Sequence, residues 1–346
     1  MTGEPWTRLL GSATPVVGAP MAGGASTPAL VRAVTAAGGF GFLPAGYRSA
    51  EAVAADLAGL EATGTPFGVN LFVPGPPDID ETTFRAYARR IAAEGEPYGL
   101  DLAGAPLTHD DDHWSDKIDL LVRHPVPVVS FTFGLPDAAA LAALRRAGTR
   151  TLVTVTSVAE ALAARDLGVD GLIAQGTEAG GHSGVHDPRR PAPPASTGPL
   201  VREVVAATGL PVLAAGGVAG PHDVRDLIAV GATGVVVGTL LLRTDESGAN
   251  RTHRDALADP ARTTTTVMTR AFTGRPARGL RNTFIDRYEP AAPLGYPELH
   301  HLTRGMRAAA AAAGHPDRVH LWAGTGYRQA RTGSAATVVE GLTAAL

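Results

Sequence analysis

Eight short apolar runs, each closed by Gly, Pro, Asn or Gln and mostly separated by alanine-rich stretches of helical spacing, constrain this chain more than any other feature. They cover residues 15–19, 39–43, 67–71, 126–133, 151–156, 171–175, 211–215 and 234–237. Their apolar residues are consecutive rather than alternating, as in strands covered on both faces of a parallel sheet. Helix starts are readable between them. Thr27-Pro28 puts proline at a first helical position, and Ser49, Pro136 and Pro221 open similar stretches. Ser157 and Glu160 have the spacing of a capping box, in which hydroxyl and carboxylate each satisfy a free backbone N–H. Gly38, Gly148, Gly168 and Gly231 stand where the helices should end, as left-handed caps. The repeat of strand, helix, glycine and strand predicts an α/β protein, and eight strands predict a closed (β/α)8 TIM barrel. The competing open, doubly wound sheet calls for a Gly-x-Gly-x-x-Gly turn after the first strand, and none occurs there.

Two segments break the rhythm. Residues 74–124 are too long for one crossover helix and read as an insertion after strand three. Residues 243–346 are richer in Arg, Thr and Pro, with an alanine run at 308–313, and read as a mainly helical C-terminal extension. The expected division is a barrel made of 1–242 with 320–346, and a helical lid over its mouth at 243–319.

The 346 residues would suit one large barrel or two ordinary domains, and 45% hydrophobic with 18% charged residues fits a large core. A net charge of −3 offers no basic surplus for phosphates, so nucleic acid is not an expected partner. The absence of cysteine excludes disulfides, iron–sulfur clusters, thiolate zinc sites and cysteine nucleophiles. It suits a reducing compartment, and a cytoplasmic protein is expected. Residues 1–11 lack a signal-peptide pattern, and no window approaches 18 uninterrupted apolar residues, so no membrane association is expected. A homodimer is compatible with these features. Lys117, the only lysine, lies in a polar stretch rather than at a strand end, which sets imine chemistry aside.

In a parallel barrel the chemistry belongs at the C-terminal ends of the strands. The seventh strand ends in Gly216-Gly217 and the eighth in Gly238-Thr239. Backbone N–H groups and a Thr hydroxyl at these two ends suit a phosphate, although such glycines also make plain tight turns. The sixth strand runs into Gln175-Gly176-Thr177-Glu178-Ala179-Gly180-Gly181-His182-Ser183-Gly184. Gly180-Gly181 would leave His182 free to face a pocket, and histidine is the usual general acid or base; the alternative is a solvated loop histidine. Asn70, ending strand three, can donate and accept to a ring of mixed edges. Met21, after strand one, could pack on a flat ring. Glu178 is a possible second carboxylate without an evident partner. The run His109-Asp110-Asp111-Asp112-His113 looks like a metal site, but no strand end lies under it and it reads as a solvated helix start; no metal is expected. His300 and His301 cannot point the same way on regular structure and are expected at the surface. Trp322-Ala323-Gly324-Thr325-Gly326 could close over the mouth or pack the last helix.

Taken together, these motifs resemble the nitronate monooxygenases. The matching stretches are residues 19–24 (Ala-Pro-Met-Ala-Gly-Gly), 36–39 (Ala-Ala-Gly-Gly), 66–71 (Pro-Phe-Gly-Val-Asn-Leu), the 175–184 loop, 211–218 (Pro-Val-Leu-Ala-Ala-Gly-Gly-Val) and 236–239 (Val-Val-Gly-Thr). Echoes follow at Ala277-Arg278-Gly279 with Asn282 and at Trp322-Ala323-Gly324. The loop is the specific element. The resemblance implies non-covalent FMN, with Asn70, Gln175 and Gly180 at the flavin, Gly217, Val236, Val237, Gly238 and Thr239 at the ribityl phosphate, and His182 as the catalytic histidine. Met21, Gly181 and Gly216, beside these, are also expected to bind the cofactor. The family often has Gln-Met where this chain has Val236-Val237, a change that backbone contacts survive. The implied activity oxidises nitronates or nitroalkanes with O2 to carbonyl compounds and nitrite. His182 would remove the α-proton of a neutral nitroalkane or, as imidazolium, bind a nitronate. NAD(P)H-dependent quinone or enoyl-thioester reduction on the same flavin barrel is the alternative. A colourless binder of phosphate ligands is a third reading, which failure to take up FMN would favour.

Overall fold

The computed structural model describes residues 4–62, 64–262 and 265–346. Its parallel strands are β1 (Val16–Gly18), β2 (Phe40–Pro44), β3 (Phe67–Phe72), β4 (Val128–Thr132), β5 (Arg150–Val155) and β6 (Gly171–Gln175). After a two-residue strand, β7 (Gly181–His182), follow β8 (Val212–Ala215) and β9 (Gly234–Val237). Strands β1 to β6, β8 and β9 form a closed barrel, sealed where Val17 of β1 pairs with Val236 of β9. The consecutive apolar residues of each run are divided between two cores. Val17, Phe40, Phe42, Val128, Leu152, Ile173, Leu213 and Val236 fill the barrel. Their neighbours, such as Val16, Leu43, Val69 and Phe131, pack outward against the helices. Leu9 and Leu10, from the helix Pro5–Leu10, join the inner core and stopper one end.

The local punctuation acts much as its chemistry predicts. Thr27 caps the helix Pro28–Ala36 through the Leu30 N–H, and the four cap glycines all have positive φ. The expected capping box is corrected in one half. The Ser157 hydroxyl accepts from the Glu160 N–H, but the Glu160 carboxylate takes the N–H groups of Thr156 and His186 instead of Ser157. Glu160 thereby ties the helix start to the far end of the sixth-strand loop.

The insertion and the C-terminal region share one core. Phe84, Tyr87 and Ile91 of the insertion pack with Phe272, Phe284, Leu299 and Met306. The extension holds helices Arg251–Ala258, Thr283–Tyr288 and Glu298–Ala312, and also strands β10 (Thr266–Thr269) and β11 (Ala277–Leu280). With β7 these make a three-stranded sheet in the order β10-β11-β7. The last helix, Ala335–Thr343, returns to the barrel and packs on helices Pro28–Ala36 and Pro221–Ala229. No helix among the described residues is long and apolar enough to cross a membrane.

Candidate active site

A cavity of about 950 Å3 opens at the C-terminal ends of the barrel strands, at the upper end of the range for small-molecule sites. The expected residues from every part of the barrel line it: Met21, Asn70, Gln175, Gly180, Gly181, His182, Gly216, Gly217 and the 236–239 segment. The structure refines what each offers.

Asn70 is fully buried, and its amide NH2 donates to Ser130 and Thr132 on the neighbouring strand. Those bonds orient the amide so that its carbonyl is left to accept from a ligand. Gln175 is committed at both ends: it donates to the His182 carbonyl at 3.1 Å and accepts the Gly184 N–H at 2.6 Å. It holds the loop. Glu178 finds its partner in the N–H and hydroxyl of Thr197, at the start of helix Thr197–Thr208. Gly216 and Gly217 have φ of 119° and 77°, a backbone path that suits glycine alone. A Cβ on Gly180 would lie 2.4 Å from the Gly324 nitrogen, so this glycine lets two loops meet over the cavity. The Gly324 N–H in turn donates to Thr239 Oγ1 at 2.9 Å, which leaves the Thr239 hydroxyl proton for a ligand. Two glycine turns, a hydroxyl and an apolar floor beneath them fit a phosphorylated ring ligand.

His182 is not free in a flexible loop. Its strand β7 pairs with β11, placing His182 opposite Ala277. Its Nε2 lies 2.9 Å from Thr273 Oγ1, and the Thr273 hydroxyl donates onward to the Arg275 carbonyl. Thr273 must therefore accept from Nε2–H, which assigns the lone pair to Nδ1. The ring is walled by Phe133, Tyr296 and Trp322, with centroids 5.5–5.8 Å away. Burial, followed by the charges of Arg275 and Arg307, pushes the His182 imidazolium down to about 3. Both arginines are buried, and backbone carbonyls and neutral side chains hold them: Arg275 bonds Val185 and Ser183, and Arg307 bonds Thr303 and His300. Neither pairs with a carboxylate among the described residues.

Other expectations are corrected. His300 and His301 do point different ways, but they are not surface residues. Their rings stand at 86° to one another; His300 is buried beside the cavity and His301 meets Asp110 at 2.8 Å. Tyr47, from a barrel loop, covers His300, and Asp110, from the insertion, meets His301. The acidic run is only partly solvated, because Asp112 turns inward to Lys117, which is itself buried. Among the described residues no group of three or more His, Cys, Asp or Glu side chains could hold a metal ion. Thr273, Arg275, Tyr296, His300 and Arg307 were not foreseen as site residues. All lie in the extension, and the Ala277-Arg278-Gly279 echo was the one nearby signal. Trp322-Ala323-Gly324 lies over the mouth, with Trp322 bridged to Gly279.

A family model described as nitronate monooxygenase matches residues 7–345. A probable nitronate monooxygenase of Staphylococcus aureus (strain Newman) is 34% identical over 341 residues, covering 97% of this chain and 95% of the relative. The solved structure of nitroalkane oxidase from Streptomyces ansochromogenes has a TM-score of 0.93 at 45% identity, covering 99% of this chain and 98% of that one. FabK from Thermotoga maritima has a TM-score of 0.75 at 24% identity and shares the fold.

Proposed function

Because this chain belongs to the nitronate monooxygenase family, an oxidoreductase family acting on nitronates, we propose that His182, Arg275 and Arg307 form its reacting centre beside a bound FMN. The observation that carries the reading is a neutral imidazole under the charge of two buried guanidinium groups, Arg307 lining the same cavity and Arg275 behind Phe133 on the neighbouring one, neither with a carboxylate partner among the described residues. A buried cation without a counter-ion is costly, so this pocket favours an anion. The same field disfavours an imidazolium. His182 therefore works as a neutral base, and the arginines take the anion-binding role that an imidazolium would otherwise fill. On a neutral nitroalkane, His182 Nδ1 accepts the α-proton while Arg275 and Arg307 stabilise the nitronate that forms. On a preformed nitronate, no proton transfer is needed and the arginines act alone.

Met21, the Asn70 carbonyl, Gly180 and Gly181 would lie along the flavin ring. Gly216, Gly217, Val236, Val237, Gly238 and Thr239 would hold its phosphate. Bound FMN supplies the electron-accepting ring between the nitronate and dioxygen; carbonyl compound and nitrite are the products. Gln175 keeps His182 in place through its backbone.

The test is an absorbance spectrum of the purified protein under nitrogen, before and after ethylnitronate, NADH or NADPH. A flavin band bleached by ethylnitronate and not by the nicotinamides supports the reading. Bleaching by NADH or NADPH with no response to ethylnitronate makes this chain a reductase instead.

A further inference from the structure

Among the described residues, four non-glycines have positive φ: Tyr47 (66°), Asp112 (55°), His113 (55°) and Phe133 (81°). For bulky aromatic residues such values are outliers, held only where surrounding structure enforces them, and they gather at functional sites. Tyr47 and Phe133 both line the main cavity. With Phe72 and His300 they form an aromatic wall between it and a neighbouring cavity of about 430 Å3. Tyr47 stacks flat on His300 at 4.0 Å and meets the edge of Phe72 at 5.3 Å.

Asp112 is the clamp on Tyr47. Its Oδ1 accepts the Tyr47 N–H at 2.8 Å, and its Oδ2 lies 2.8 Å from Nζ of Lys117. Lys117, the only lysine of the chain, is 1% exposed. At the other end of Tyr47, the Tyr296 hydroxyl donates to the Tyr47 oxygen at 3.0 Å. The Tyr47 proton is then left to donate elsewhere, and this side chain lines both the main cavity and its smaller neighbour. Burial pushes the Tyr47 hydroxyl up to about 12, so it keeps that proton. An O–H that accepts one hydrogen bond becomes a stronger donor in the next.

We propose that Tyr47 donates a hydrogen bond to a negatively charged oxygen of the bound nitronate, and that the buried Asp112–Lys117 pair positions it for that role. The proposal rests on the nitronate reading of the site for its substrate. The positioning half rests on the geometry of Tyr47, Asp112 and Lys117 and on no substrate.

The experiment measures kcat/KM for ethylnitronate on FMN-loaded wild type, Y47F, D112A/K117M and the triple variant, with a crystal structure of D112A/K117M. The double variant removes the clamp without leaving a buried charge unpaired. Y47F should lose roughly tenfold or more in kcat/KM, the scale of one charge-assisted hydrogen bond, with FMN content unchanged. D112A/K117M should lose a similar factor, and the triple variant should fall no further than Y47F within about twofold, because coupled residues are not additive. In the crystal structure Tyr47 should have left positive φ. D112N/K117M keeps an oxygen for the Tyr47 N–H and should recover most of what D112A/K117M loses; it also serves if D112A/K117M does not fold. An unchanged kcat/KM in Y47F overturns the donor role. A triple variant losing the product of the two separate factors, a Tyr47 still at positive φ, or no recovery in D112N/K117M overturns the positioning. A wild type inert towards ethylnitronate sinks the nitronate reading instead, and Tyr47 φ still judges the clamp.

Discussion

Burial first, and then the charges of two nearby guanidinium groups, hold the His182 imidazolium down to about 3. The sign of the effect fixes a pH prediction. The free enzyme keeps His182 neutral at every pH well above that value, so the base is not lost as pH falls through the ordinary histidine range. The kcat/KM profile for nitroethane should show no His182 inflection near 6.5, and an inflection there that vanishes in His182→Asn would contradict the assignment. His182→Asn itself should keep FMN and lose activity on nitroethane by roughly 10²- to 10⁴-fold, with a smaller loss on ethylnitronate, where no proton is removed. Thr273→Val bears on the tautomer. Without the acceptor at 2.9 Å, Nε2–H loses its partner and Nδ1 is no longer favoured as the base. Turnover of nitroethane should fall by roughly tenfold or more, again with ethylnitronate less affected, as steady-state assays on both substrates would read.

Among the elements, the meeting of the 175–184 loop with the 322–326 turn carries a sharp steric constraint. Gly180→Ala would drive a Cβ to 2.4 Å from the Gly324 nitrogen and 2.5 Å from the Ala323 carbonyl carbon, which are backbone atoms that cannot swing away. The turn must move, and the bond from the Gly324 N–H to Thr239 goes with it. FMN binding should weaken roughly tenfold or more, measured by flavin fluorescence in a titration of apoprotein; unchanged affinity would show that these loops do not shape the cofactor site. Strand ends explain which parts of the cavity could be read from the residues. Asn70, Gln175, Gly216 and Thr239 end apolar runs, and a parallel barrel turns every such end to one face. Thr273, Arg275 and Arg307 carry no comparable signal. Thr273 and Arg275 reach His182 through the pairing of β7 with β11, and β7 is two residues long, too short for any periodicity; Arg307 comes from the helix Glu298–Ala312. The positive φ of Tyr47 was equally hidden, since no local residue preference marks it and Asp112, 65 positions away, holds it. His300 failed as a surface residue because its partner in stacking, Tyr47, is as distant in sequence as it is close in space.

At the scale of the whole molecule, the candidate site lies between two hydrophobic bodies. In the proposed reading the barrel supplies the FMN side. The insertion and the extension, which looked like separate additions in the sequence, make a joint core that supplies the other side. Phe272 is the residue through which that second core reaches the chemistry. It is fully buried, stacks on Phe284 at 4.5 Å and meets Trp322 edge-on at 6.0 Å; its carbonyl accepts from Thr303, and the next residue is Thr273, the partner of His182. Phe272→Ala should cost about 3–5 kcal/mol of stability, the usual figure for emptying a buried aromatic site. If the second body only covered the cavity, unfolding would shift and the folded fraction would keep its activity. Because Thr273 hangs from the same strand connection, the folded variant should also lose turnover on nitroethane more than on ethylnitronate, the same signature as Thr273→Val. Urea unfolding followed by circular dichroism, together with both assays well below the midpoint, separates the two cases; a stability loss with both activities intact would make the second body a cover and nothing more.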